Sequence, residues 1–136
     1  DRYNSFKEAA AEKNAEVKNY QCQLNSFDRK EYQKLAARIL AESETVDGIF
    51  ASSDLIAAAV IKEAQKKGVK VPDDLKVIGY DDIELARLFW PEITTIRQPA
   101  AEIAEQAVKL LLKAINGEEI KRENILDVEF IKRESA

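Results

Sequence analysis

The chain has 136 residues, with 21 Lys and Arg against 25 Asp and Glu, a formal net charge of −4, and no His. This length suffices for one compact domain and is too short for two well-cored domains. The acidic balance excludes a dedicated nucleic-acid-binding chain, because a phosphate-neutralising surface leaves a basic excess. The missing His excludes His-based triads and His-ligated metals, and the single Cys excludes an internal disulfide or a Cys zinc cluster.

Apolar residues recur at helical spacing in five stretches, and short apolar runs separate these stretches. The predicted helices lie at 1–15, 28–42, 54–67, 83–88 and 99–116. The predicted strands lie at 18–23, 47–51, 75–80 and 125–132, with a further extended segment at 94–96. No apolar run approaches the ~18 residues that span a bilayer.

Residues with cap and turn chemistry mark the ends of these elements. Asp28 is a predicted N-cap, with Glu31 three residues later, and Ser52 is a predicted cap of the third helix. Gly68 and Gly117 are expected to end the third and fifth helices, because glycine adopts the left-handed conformation that follows a helix.

Strands that alternate with helices predict right-handed crossovers and a largely parallel sheet. The expected fold class is therefore α/β, a three-layer parallel-sheet sandwich. In such sheets ligands bind outside the carboxyl ends of the strands. Three loops deserve inspection on this ground: Ser52-Ser53-Asp54, Asp81-Asp82 and Arg97-Gln98.

The acidic pair Asp81 and Asp82 follows a buried strand and has three interpretations. Such a pair can hold Mg²⁺, but no further acid at an earlier strand end and no Gly-rich phosphate loop support a metal here. A carboxylate that accepts hydrogen bonds from the hydroxyls of a polyol fits the pair better. A helix cap without a ligand is the third interpretation, and it suits Asp82 more than Asp81.

The remaining polar candidates each have an ordinary alternative. Ser53 lacks a neighbouring base, so its hydroxyl is expected to bind a ligand or cap a helix rather than act as a nucleophile. Arg2 is either a solvated cation, which its spacing favours, or a forked donor to ligand oxygens. Gln98 offers both a donor and an acceptor to a hydroxyl group.

Two further residues attract attention by their type alone. Cys22 is expected to be a small core residue, since nothing near it in sequence would acidify the thiol. Trp90 precedes Pro91, and it is either a plug at a surface hinge or an anchor at an interface.

Three segments, in the same order and at the same spacing, resemble the lactose/galactose-repressor (LacI/GalR) family of transcriptional regulators. Residues 47–57 are similar to the family segment D-A-I-F-A-x-N-D-x-x-A, and residues 68–82 to G-x-x-V-P-x-D-x-x-V-x-G-[FY]-D-D. Residues 91–99 are similar to P-x-L-T-T-[IV]-x-Q-P. Residues 2–6 resemble the weaker pattern Arg-x-x-Gly-Phe, with Ser5 in place of Gly, and residues 131–135 resemble the usual C-terminus.

The resemblance implies part of a two-lobed effector domain like that of the periplasmic sugar-binding proteins. Residues 1–96 would form its C-terminal lobe, and residues 97–118 a crossover helix that packs on an N-terminal lobe. Residues 119–136 would form the return strand and the C-terminal tail. Because the chain also opens without an initiator Met, we expect it to be an excised piece of a longer protein.

The function that the resemblance implies is sugar sensing in a cytoplasmic, dimeric repressor that binds operator DNA through a separate N-terminal headpiece. The positions that match effector contacts of the family are Arg2, Ser53, Asp81 and Gln98, with Ser53 where relatives usually have Asn. No catalytic residue, metal or cofactor is expected. The positions that match the family's dimer interface are Ile56, Val60, Leu85, Leu88 and Phe89.

The effector itself stays open, because the family uses pentoses, hexoses, disaccharides, nucleobases and a phosphorylated protein partner. Two other functions are also retained as alternatives. One is a periplasmic sugar-binding protein of a transport or chemotaxis system. The other is a phosphotransfer enzyme, which would depend on Mg²⁺ at Asp81 and Asp82.

The helix at 99–116 has consequences for assembly. If its apolar stripe packs on the other lobe in relatives, the stripe faces water in this chain, at roughly 1.5–3 kcal/mol for each large side chain. We therefore expect the isolated chain to pair with a second copy or to exchange this helix with it. With half of the cleft wall missing, the isolated chain is also expected to bind no free sugar with micromolar affinity. The residues of the stripe are Ile103, Ala107, Leu110 and Leu111.

Overall fold

The computed structural model describes residues 2–22, 28–42, 46–121 and 123–136. Its helices are Arg2–Glu12 (α1), Arg29–Glu42 (α2), Asp54–Lys66 (α3), Leu85–Leu88 (α4) and Ala100–Ile115 (α5). Its strands are Gly48–Phe50 (β1), Lys76–Ile78 (β2), Thr95–Arg97 (β3) and Glu129–Ile131 (β4). Each of these elements coincides with or overlaps a predicted one. In the described ranges no helix is long and apolar enough to cross a bilayer.

The strands join edge to edge in the order of the sequence. β1 pairs with β2 in parallel, with Ile49 opposite Val77. Single parallel bridges connect β2 and the residues after it to the segment of β3, at Ile78 and Thr94 and at Asp81 and Arg97. The predicted parallel arrangement is therefore confirmed from β1 to β3.

The last strand is the exception in a sheet that is otherwise parallel, as predicted. β4 pairs antiparallel with β3, with Ile96 opposite Phe130. A parallel return requires a helix that crosses the face of the sheet, whereas α5 contributes no buried residue. The chain leaves β3, runs through α5 and comes back beside β3 in the opposite direction.

The strand predicted at 18–23 is wrong over its described part, since residues 18–22 are irregular. The alternation of apolar and polar residues that suggested it is present, but a strand also needs a partner. Residues 15–22 instead form one wall of a groove of about 1010 Å³, and β1 forms part of the other wall.

The hydrophobic core lies between α3 and the sheet, with α2 and α4 beside α3. Helix α3 turns its apolar stripe inward, as its spacing predicts, and strand β2 meets it with Val77. The helix ends at a left-handed Gly68, whose N–H donates to the Gln65 carbonyl while Val69 donates to Ala64. The larger apolar residues with 1% exposure or less are Val60, Ile61, Leu75, Val77 and Ile93.

Helix α5 confirms the expected exposure of its apolar stripe. Ile103 is 41% exposed and Leu111 is 60% exposed, and Leu110 is half-buried. The adjacent face exposes Val108, Leu112 and Ile115 as well. Gly117 ends the helix in the left-handed conformation, as predicted.

Gly79, which follows β2, lies directly against the first turn of α3. A Cβ at this position would lie 2.2 Å from Asp54 Oδ1 and 3.2 Å from Ile93 Cγ2. Glycine is required here by close packing, since its absent side chain lets α3 approach the strand.

We expect Gly79→Ala to lower the free energy of unfolding by about 1–3 kcal/mol, because overpacking must displace Asp54 or the strand. The matched control is Gly48→Ala in β1, where the nearest atom to an added Cβ is the Lys76 carbonyl oxygen at 4.0 Å. Urea unfolding of both variants checks the expectation. Equal free energies of unfolding for the two variants would show that the close approach of α3 to Gly79 does not contribute to stability.

Candidate functional site

Three strand-end loops and the first turn of α1 meet at the carboxyl end of the sheet. Arg2 Nη1 donates to the carbonyl oxygen of Ser52, at 3.1 Å, in the loop after β1. The guanidinium carbon of Arg2 lies 4.3 Å from the ring centroid of Tyr80, which follows β2. The spacing alone favours a solvated cation for Arg2, and the structure shows an exposed residue whose side chain is directed to the strand ends.

The loops after β2 and β3 are joined by two of the candidate residues. Gln98 Nε2 donates to Asp81 Oδ1 at 2.7 Å, and the Asp81 N–H donates to the Ile96 carbonyl oxygen at 2.9 Å. Asp81 has a positive φ of 106°, an uncommon conformation for a residue with a side chain. The pair presents carboxylate and carboxamide oxygens together with N–H donors, which is the chemistry that recognises hydroxyl groups.

Asp82 has a different environment from Asp81, although the two are consecutive. Its side chain is 1% exposed and accepts hydrogen bonds from Arg133 Nη2 and, at 2.7 Å, from Arg97 Nε. Arg87 adds a third guanidinium at 3.5 Å. Asp82 therefore ties β3 to the segment after β4, and the interpretation of Asp82 as a helix cap is wrong. Glu84, at the start of α4, is the cap residue, and it makes no side-chain cap bond.

The arginines determine the charge state of Asp82. Burial alone would raise the pKa of this carboxyl, but the hydrogen bonds from Arg133 and Arg97 outweigh burial and hold its pKa below the usual range. The same contact with Asp82 raises the pKa of Arg97. Arg97 is also bonded to Glu129 on β4, at 2.9 Å. Asp82 is thus a structural anion, and each of its carboxylate oxygens is bonded to an arginine.

The structure confirms helix capping, one of the two roles predicted for Ser53, and contradicts the capping role predicted for Ser52. Ser53 is the N-cap of α3, with extended backbone, and its hydroxyl accepts from the N–H of Ile56 at 3.4 Å. Ser52 is not the cap, because it precedes the N-cap position, and its carbonyl oxygen accepts from Arg2. Ser53 is half-buried in the loop after β1, so it stays a candidate for effector contact.

Asp54, which belongs to one of the three predicted strand-end loops but received no role of its own from the sequence, is completely buried. Its Oδ1 accepts from Thr95 Oγ1 at 2.6 Å and its Oδ2 from the N–H of Ile83 at 2.9 Å. Burial raises the pKa of Asp54, and these two hydrogen bonds offset the effect only in part. The feature of the sequence that could have indicated this role is the position of Asp54, an acid close after a buried strand.

Asp54 also corrects the argument that was made against a metal. A further acid does follow an earlier strand, and its pKa is raised in part by the charges of Asp81 and Asp82. Both Asp54 oxygens are nevertheless engaged in hydrogen bonds. Across the described ranges, no group of three or more Cys, Asp or Glu side chains could hold a metal ion.

Aromatic rings line the site, and sequence reasoning did not identify them. Phe50 and Tyr80 meet edge to face with centroids 6.4 Å apart, and Phe6 of α1 stacks on Phe50 at 5.2 Å. The feature of the sequence that could have indicated them is an aromatic residue at the end of each of two neighbouring strands, Phe50 and Tyr80. Cys22 lies apart, half-buried in the wall of the groove and outside the hydrophobic core of the described residues, so its interpretation as a core residue is wrong. Burial raises the pKa of its thiol.

The five residues that match the family's dimer interface divide by exposure. Val60 is 0% exposed, so its side chain packs within this chain and offers no contact surface, which removes it from the predicted interface. Ile56, Leu85 and Phe89 are half-buried, and Leu88 is 76% exposed. Trp90, at 73% exposed, lies on the same segment as Leu88.

Comparisons with known proteins place this geometry in a family. All of the chain, residues 1–136, matches the model of the periplasmic binding protein-like domain. The chain belongs to that family. The expected fold class is thereby confirmed, and so is the resemblance to the LacI family, whose regulators are among the relatives and structural neighbours.

Individual relatives give the likeness in numbers. The ribose operon repressor of Bacillus subtilis is 42% identical over 115 residues, which are 85% of this chain and 35% of that protein. A LacI-family transcriptional regulator from Sanguibacter keddieii superposes with a TM-score of 0.87 at 28% identity, over 98% of this chain and 52% of that one. A LacI-family regulator from Enterococcus faecium with bound ribose gives a TM-score of 0.82 at 30% identity, over 98% and 50%. This chain therefore spans about a third to a half of these relatives.

The Asp82 cluster predicts how stability depends on pH. Because the folded pKa of Asp82 is lowered, the unfolded chain binds its proton first as the pH falls. The stability that Asp82 contributes is therefore full above the unfolded pKa and is lost as the pH falls through the folded one. We expect Asp82→Asn to cost about 1–3 kcal/mol at neutral pH, and this cost to shrink on acidification.

Chemical unfolding of the wild type and Asp82→Asn between neutral pH and pH ~3 measures this difference. Glu129→Gln is the control, because Glu129 binds the same Arg97 but is 65% exposed, and an exposed pair contributes little. A cost of Asp82→Asn that stays constant with pH would contradict the account.

Proposed function

We propose that the chain is the effector-binding and dimerisation portion of a cytoplasmic, sugar-responsive DNA-binding repressor. The observation that carries the proposal is the meeting of Arg2, Asp81 and Gln98 at the strand ends. This edge is where sheets of this class bind ligands. Regulators of the LacI family among the relatives support the repressor role.

The effector class that the site fits best is a neutral sugar. One guanidinium and one carboxylate balance each other in charge, and the Gln98 carboxamide adds a donor and an acceptor. The ring of Tyr80 lies beside the guanidinium of Arg2. We propose a pentose, with D-ribose as the first compound to test. A ribose operon repressor at 42% identity and a ribose-bound regulator at 30% identity support this choice.

Effector binding would change the affinity for operator DNA through a shift between arrangements of the effector domain. In the proposed arrangement, residues 1–96 form the C-terminal lobe, residues 97–118 cross to an N-terminal lobe, and residues 119–136 return. The Asp81–Gln98 bond lies where the chain leaves for α5. A ligand that binds one lobe arrangement more tightly shifts the population toward it, and a headpiece outside this chain would read that shift on operator DNA.

The other functions have weaker support. A periplasmic sugar-binding protein shares the fold, but the relatives by sequence named above are repressors or regulators. An enzyme that uses Mg²⁺ at Asp81 and Asp82 is disfavoured, because Arg97 and Arg133 neutralise Asp82. We therefore propose no catalytic residue, cofactor or metal.

The effector proposal predicts that the repressor that contains this chain binds D-ribose and is stabilised by it. Ribose at ~100 times its dissociation constant should add ~2.7 kcal/mol to the free energy of unfolding, which thermal shift detects. Asp81→Ala should weaken binding about tenfold or more, because a charge-assisted hydrogen bond is lost.

Asp73→Ala is the matched control, since Asp73 is an exposed acid in the turn before β2. It should bind ribose as the wild type does. A panel of hexoses, disaccharides and nucleobases runs in parallel. Binding of a nucleobase but no sugar would replace the effector class, and an Asp81→Ala protein with unchanged affinity would overturn the site.

Two surfaces are proposed for assembly. One is formed by Ile56, Leu85, Leu88 and Phe89, and the adjacent Trp90 extends it. The other is the apolar stripe of α5, which we propose pairs with, or exchanges into, a second copy when the chain is isolated.

Sedimentation of the isolated chain should therefore show species larger than a monomer. Leu88→Glu and Leu111→Glu should each shift the distribution toward monomer, because each introduces a charge into an apolar contact. Lys109→Gln on the polar side of α5 changes the net charge by the same amount and should have no effect. A wild-type chain that is monomeric at high concentration would refute both contacts.

A further inference from the structure

Arg2 extends from a helix that offers little support of its own. Helix α1 contributes no buried residue, and Arg2 stands in its first turn. An arginine side chain loses considerable rotamer freedom when a ligand immobilises it, and that loss weakens binding. An arginine that is already held in its binding position avoids this cost.

Two contacts hold the Arg2 guanidinium. The carbonyl oxygen of Ser52 accepts from Nη1 at 3.1 Å, and the ring of Tyr80 lies under the guanidinium at 4.3 Å from its carbon. Stacking on an aromatic face uses none of the five N–H donors, which lie in the plane of the group. The Ser52 bond uses one of them. The two contacts therefore restrain the guanidinium and leave its other N–H groups available to donate to a ligand.

The ring of Tyr80 is itself braced. Phe50 meets it edge to face at an interplanar angle of 70°, and Phe6 stacks on Phe50 at 23°. Phe6 lies one turn after Arg2 on α1, so the same three rings attach the helix and support the cation. Tyr80 also directly precedes Asp81. The guanidinium of Arg2, which lies over the Tyr80 ring, and the carboxylate of Asp81 are therefore both positioned by the segment at Tyr80.

We propose that Tyr80 is a positioning residue, which holds Arg2 over its ring face so that the guanidinium is ready to donate to ligand oxygens beside Asp81. The restraint on Arg2 is a property of the chain itself, and its consequence for affinity rests on the proposed function. The two parts are separately testable.

The restraint is measured by ¹⁵N relaxation of the Arg2 Nε–H in the chain without ligand. Tyr80→Leu should lower its order parameter to below about 0.6, the range of flexible groups, whereas Tyr80→Phe should keep the wild-type value because the ring remains. Arg38 is the internal control, since it lies over the ring of Tyr20 and binds Glu42. Its order parameter should not change. An Arg2 signal that is equally ordered in Tyr80→Leu would overturn the proposal.

The consequence for binding is measured by a double-mutant cycle with D-ribose in the repressor that contains this chain. Tyr80→Leu should weaken binding about two- to tenfold, the effect of ordering one long side chain, and Tyr80→Phe should restore it. In an Arg2→Ala background, Tyr80→Leu should cause no further loss, because a positioning residue acts only through the group it positions.

Each outcome of the cycle bears on one claim. Losses that multiply independently would show that Tyr80 acts through direct contact or through the fold, and would overturn the positioning role. A wild-type repressor that binds no sugar would overturn the proposed function and the affinity claim with it. The relaxation experiment would still decide whether Tyr80 holds Arg2.

Discussion

The geometry of the strand ends depends on the buried carboxylate of Asp54. One of its oxygens accepts from the Thr95 hydroxyl at the start of β3, and the other accepts from the N–H of Ile83 in the loop after β2. Because Asp54 is also in the first turn of α3, one side chain connects the helix, β3 and this loop. Gly79 leaves room for the Asp54 carboxylate, since any side chain at position 79 would occupy the same space. The loops that carry the candidate site are fixed relative to one another by these bonds.

Three neighbouring acids divide the work between structure and recognition. Burial raises the pKa of Asp54, so its contribution to stability is full at low pH and decreases as the pH rises through the folded pKa. Asp82 behaves in the opposite way, because Arg97 and Arg133 lower its pKa. Asp81 has a different kind of partner, because its side chain accepts a hydrogen bond from the uncharged amide of Gln98. An acid with a neutral partner can exchange that hydrogen bond for one to a ligand hydroxyl at less cost than an acid that is paired with two arginines.

Features that depend on residues close together in the sequence were predictable, and features that depend on distant residues were not. The helices were predictable because their periodicity and caps are local, and the strand-end loops because the rule for ligand sites depends only on the order of elements. The role of Asp82 was not, since Arg133 is 51 residues away and no local pattern connects the two. The antiparallel return of β4 depends on α5 leaving the face of the sheet, which its amphipathic spacing does not reveal. The irregular course of 18–22 likewise depends on whether an edge strand finds a partner.

The central claim is that a sugar binds at the carboxyl ends of the strands, between Arg2 and the Asp81–Gln98 pair. A crystal structure of the proposed repressor that contains this chain, grown with D-ribose, tests it most directly. The account predicts ribose hydroxyls within hydrogen-bond distance of the Asp81 carboxylate and the Gln98 amide, with Arg2 still over the ring of Tyr80. Ribose bound in the groove beside β1, with the Asp81–Gln98 hydrogen bond undisturbed and the strand ends empty, would contradict it.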